Sequence, residues 1–193
     1  MKRIFLPFLL TVLAVLVIFR KELISVRARN AGAVYHATRP VSSENKWFNR
    51  LKPDCLPEKY AEALKKTPPP PGDEGVGFTA ACYALAGKLE AADTLLGRLT
   101  SRGQDTAANI LFDVFHPAAD AGEDQSTLPM MIIVIKYQPY NYMAMYHAGM
   151  SQYRLGDLDA AEEHLEAYMQ RVPNKDGWTQ LAESALVEIR KER

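Results

Sequence analysis

Four histidines, His36, His116, His147 and His164, and two cysteines, Cys55 and Cys82, are the first residues to ask for chemistry. His116 opens the stretch "HPAADAGED", which also holds Asp120, Glu123 and Asp124 and superficially resembles a calcium or acid–base loop. It lacks the alternating oxygen ligands that a calcium loop needs, so it reads as a capped, solvated turn. His147 and His164 fall on two helices of one hairpin, with Glu162, Glu163 and Glu166 nearby. A metal needs three or four convergent ligands, and no His-x-x-x-His or Cys/His spacing supplies them. No serine, threonine or cysteine sits in a nucleophile motif, and no glycine-rich loop can cradle phosphate. The expectation is therefore no metal, no cofactor, no small-molecule substrate and no enzyme. An accessory role built on a metal loop at His116–Asp124 is the competing reading. The cysteines read as two separate buried thiols, with one disulfide as the alternative in an oxidising compartment.

Positioning any such residues takes a folded core, and at 48% apolar and 24% charged residues the chain can build one. The formal net charge is zero and the charges are interspersed, so no basic stripe exists to bind nucleic acid. Residues Ile4 to Phe19 carry no charge. As a helix they reach roughly 24 Å, and Arg20 and Lys21 can snorkel to complete a membrane span of about 30 Å. Residues 1–22 are thus expected to form a single transmembrane anchor, with a cleaved signal peptide as the rival. Basic residues flank the span on both sides, and the short Lys2-Arg3 tail favours placing the bulk of the chain outside the cytoplasm, on the periplasmic side if bacterial.

Residues 23–45 read as a polar stalk. Residues 46–72 read as a short helical segment. It begins with a Ser42 or Ser43 cap before Trp47, Phe48 and Leu51. "LPEKYAEALKK" follows, with Pro57 in its first turn and Tyr60, Ala61 and Leu64 on one face. The prolines at 68–71 end it as a stiff spacer.

From there the sequence repeats itself. "ALAGKLEAADTLL" (84–96) and "YRLGDLDAAEEHL" (153–165) align on Gly87 and Gly156. Gly122 falls between them, 35 and 34 residues away, and Pro139 and Pro173 are 34 apart. A period of about 34 marks stacked helix–turn–helix units, none of which can bury its apolar face alone. Three copies are expected, 73–104, 105–139 and 140–174, with a capping helix at 175–193. In the middle copy "HPAADAGEDQST" reads as a long turn. "MMIIVIKY" has strand-like composition, but its place between Gly122 and Pro139 makes it a second helix. In the third copy Ala148 and Gly149 are small to admit a partner helix, and Ala161, Leu165, Tyr168 and Met169 form one stripe. The fold class is all-α: a helical-hairpin solenoid of about three repeats plus a cap, preceded by one transmembrane helix.

The third copy resembles the tetratricopeptide repeat family, whose pattern is W-x2-L-G-x2-Y, then A-x3-F, then P. Met145, Ala148 and Gly149 stand at the first triplet, and Ala161-x3-Leu165 and Pro173 supply the rest; Tyr153 falls one residue later than the family's tyrosine. Trp178, Leu181 and Ala182 restart the pattern. The resemblance covers residues 73–190. It implies a concave groove, lined by the first helix of each pair, that binds a protein partner. Here the lining would be Asn109, Phe112 and His116, with Met143, Tyr146, Met150, Tyr153 and Arg154. This aromatic and methionine-rich set suits an apolar peptide or an amphipathic helix. The implied function is a membrane-anchored interaction scaffold or assembly factor. The alternative is a permanent accessory subunit of a membrane complex.

Overall fold

The computed structural model describes residues 42–192. The expected anchor at 4–19, and the stalk as far as residue 41, lie outside the described residues. Among the described residues no helix is long and apolar enough to cross a membrane.

The described chain is all-helical. It begins with α1 (Ser43–Leu51), a 3-10 turn (Lys52–Asp54) and α2 (Tyr60–Lys66). Three hairpins follow: α3 (Asp73–Leu85) with α4 (Leu89–Gly97), α5 (Ser101–Asp120) with α6 (Asp124–Tyr137), and α7 (Tyr142–Leu155) with α8 (Leu158–Arg171). A single helix, α9 (Gly177–Lys191), closes the stack. Each hairpin packs on the next and α9 packs on α7 and α8, so one core runs from Trp47 to Ile189.

The three turn glycines explain the repeat. Gly87, Gly122 and Gly156 have φ of 71°, 78° and 87°. Nothing lies within 4 Å of where a Cβ would sit, so glycine is there for its backbone freedom and not for space. The same closing bonds recur at each turn. Lys88 N–H donates to Tyr83 O, Glu123 to Ala118 and Asp157 to Gln152, while each glycine N–H reaches back three residues. This is the Schellman termination, which satisfies carbonyls that the helix end leaves open.

Other local signals hold. Ser42 caps α1 by accepting from Asn45 N–H at 3.1 Å, and Trp47, Phe48 and Leu51 are buried. α8 ends at Arg171 because Val172, ahead of Pro173, is extended at ψ 127°. Asp176 and Thr179 cap α9 reciprocally, and Trp178, Ala182, Ala185, Leu186 and Ile189 form its buried face.

Four expectations are corrected. The stalk does not extend to 45, because α1 already begins at Ser43. Pro57 precedes α2 instead of opening it, and Ala63 rather than the exposed Ala61 packs with Tyr60 and Leu64. The boundary expected between 104 and 105 falls inside α5, because Thr100 caps that helix by accepting from Gly103 N–H at 3.3 Å. The long turn "HPAADAGEDQST" is instead two helix ends joined by residues 121–123, with Pro117 and Pro129 carried inside α5 and α6. Pro129 lies beyond the open N–H groups of the first turn of α6, so that helix forgoes the bond residue 129 would make to the carbonyl of Gln125.

Cys55 and Cys82 form a disulfide, S–S 2.06 Å, correcting the reading of separate thiols. It joins the turn after α1 to α3 and is buried at both ends. Composition carries no signal for that proximity: it arises because α1 folds back across α3, where Phe48 and Phe78 stack with centroids 5.0 Å apart.

Candidate functional site

The eight residues expected along a groove divide sharply. Phe112, His116, Met143, Tyr146 and Met150 are buried, none more than 5% exposed. Asn109 and Tyr153 are half-buried, and Arg154 is exposed. The first five are therefore core residues and not an open lining. For Met143, Tyr146 and Met150 the cause is the depth of α7, buried without interruption from Met143 to Gln152 between α6, α8 and α9. Arg154 pairs with Asp124, its Nε donating to Oδ2 at 2.6 Å, and Ser151 Oγ donates to Asp124 Oδ1 at 2.8 Å. Tyr153 donates to the Glu188 carboxylate. Burial, and then that bond, push the Tyr153 phenol up to about 12.

Three of the buried five, Phe112, His116 and Tyr146, belong to a ladder of rings crossing the stack. Phe112 stacks on His116 at 4.6 Å, and His116 meets His147 edge-on at 4.8 Å. Tyr146 meets Trp178 at 4.8 Å and Tyr168 at 5.2 Å, carrying the ladder from α5 through α7 to the cap. Such pairs add roughly 0.5–1.5 kcal/mol each beyond their burial.

At the centre of the ladder the structure assembles a group that no single stretch of sequence contains. Asp120 Oδ1 lies 3.5 Å from His116 Nε2 and 3.5 Å from His147 Nε2. One donor atom from each residue falls within 4.8 Å of the others, a spacing that can hold a metal ion. His116 and Asp120 are one turn apart on α5, and His147 comes from α7. Burial, then His116, then Arg154 hold the His147 imidazole well below the ordinary histidine range, so it is neutral at pH 7. His164, on the other helix of the hairpin that carries His147, is engaged by the Gln152 side-chain amide, 2.8 Å from its Nδ1.

Reading 116–124 as a turn hid the i, i+4 relation of His116 and Asp120. Their pairing with His147 had a faint signal: shifting by the 34-residue period puts His147 opposite Asp113, one helical turn from His116.

Residues 143–175, spanning α7 and α8, match the family model of the tetratricopeptide repeat. Neither the curated proteins nor the solved structures yielded a match. The family match supports a tetratricopeptide-type repeat protein, and the hairpins of the described residues agree with it.

Proposed function

We propose that this chain is a membrane-tethered scaffold whose stacked hairpins dock a protein partner. The observation that carries the reading is the repeat match at 143–175 within a continuous stack of hairpins, an architecture whose general use is protein–protein interaction. Tethering would act by raising the local concentration of what the stack recognises. The charge-free run Ile4 to Phe19 supports the anchor. The buried disulfide supports an extracytoplasmic location, since such bonds persist in oxidising compartments.

Of the expected contact residues, Asn109, Tyr153 and Arg154 retain exposed surface, and the partner meets these. Their amide, phenol and guanidinium groups suit a polar face of a peptide or helix, in place of the apolar one expected from the buried set. The burial of Phe112, His116, Met143, Tyr146 and Met150 favours a second reading, a permanent accessory subunit of a membrane complex with no exchanging ligand. Asn109→Lys combined with Arg154→Ala separates both readings from a non-interacting protein. Loss of co-purifying chains with melting unchanged supports the docking face. Partner recovery equal to wild type removes it.

A further inference from the structure

We propose that His116, Asp120 and His147 bind one first-row divalent cation, with zinc the metal to test first, between the first helices of the second and third hairpins. Two imidazoles and one carboxylate are a donor set for zinc or iron(II), while calcium and magnesium call for oxygen alone. Zinc bonds of about 2.0–2.2 Å place ligand atoms about 3.3 Å apart. Both nitrogen-to-carboxylate separations are already 3.5 Å, so little movement closes them around an ion.

A second observation points the same way. His147 is 2% exposed, and its Nε2 makes no hydrogen bond among the described residues, although a buried ring nitrogen ordinarily has a partner. That nitrogen is aimed at the carboxylate oxygen it would share an ion with. Arg154, the cation facing the cluster, has its charge matched by Asp124. Asp120 offers the entry path, its side chain being 15% exposed beside two nearly closed histidines. Three protein ligands leave the fourth position for solvent or a partner's donor.

The ion would have a mechanical consequence. α7 packs mainly on α6 and α8, and the His116–His147 contact of this cluster is one of its direct links to α5. Metal here fixes the angle between successive hairpins.

The test uses tag-free, full-length protein in mild detergent, stripped with chelator and titrated with zinc alone. The expected result is one zinc per chain and a raised melting temperature. Asp120→Asn and His147→Asn should each weaken binding by roughly 100-fold or more, since even outer-shell changes cost 10–100-fold. His164→Asn should bind as wild type. Should either cluster variant fail to fold, cobalt(II) added to the wild type decides: visible bands displaced by zinc are expected. No stoichiometric zinc and no cobalt bands in the wild type overturns the proposal, as does full affinity in Asp120→Asn.

Discussion

Tyr146 and Trp178 meet edge to face with ring centroids 4.8 Å apart, and this contact locks the capping helix onto the third hairpin. Trp178 is 5% exposed and also lies 5.7 Å from the ring of His147. Trp178→Ala should therefore cost about 3–5 kcal/mol. Chemical denaturation followed by circular dichroism measures the loss. A cost under about 1 kcal/mol would mean that α9 is not part of the cooperative core.

Gly149 and Gly156 make a paired prediction, since the two glycines are needed for different reasons. A Cβ on Gly149 would lie 2.7 Å from Leu165 Cγ and 3.1 Å from Leu165 N, where α7 and α8 cross. Gly149→Ala should destabilise by about 1–3 kcal/mol through overpacking. Gly156 has open space around it but a φ of 87°, so Gly156→Ala should cost about 1–2 kcal/mol through backbone strain alone. The discriminating measurement adds Leu165→Ala to each: it should relieve the first substitution and leave the second unchanged.

These two glycines also show how far the sequence could be read. Left-handed turns tolerate few residues but glycine, so the turn positions stand out at a period of about 34 and carry the hairpin count with them. The apolar stripes of α8 and α9 were equally legible, because helical periodicity depends on neighbours within one segment. Which face of α7 stays open was not. Met143, Tyr146 and Met150 are the same residue types whether they line a groove or fill a core. The Cys55–Cys82 bond and the meeting of Asp120 with His147 are contacts between elements. They depend on crossing geometry that no local pattern encodes.

The disulfide closes a sequence separation of 27, worth about 3.5 kcal/mol by loop-closure entropy. Cys55→Ala with Cys82→Ala should lower stability by about that amount and loosen α1 and α2 first, seen as faster amide exchange there. Mass spectrometry of the native protein after alkylation should find neither cysteine modified. Labelling of both thiols without reductant would contradict the bond.

Alkaline pH should weaken the fold through tyrosines. Tyr153, through burial and then its Glu188 bond, and Tyr168, through burial, are both pushed up to about 12 from an ordinary value of about 10. The folded state holds these protons more tightly than the unfolded chain. Their stabilising contribution is therefore complete below about pH 10 and is lost as pH rises towards 12. Phenolate absorbance should show these two groups ionising late. In Glu188→Gln, Tyr153 should ionise earlier and Tyr168 should not change. An unshifted titration in that variant would remove the Glu188 contribution.

The proposed docking of protein by a stack held at a membrane is tested most directly by a mild-detergent purification of the full-length protein from its own membranes. Co-purifying chains are identified and counted against the Asn109→Lys, Arg154→Ala variant. Protein partners should be enriched with the wild type and lost with the variant, with the protein itself in the membrane fraction. A wild-type protein that runs alone, or one recovered wholly in the soluble fraction, would contradict it.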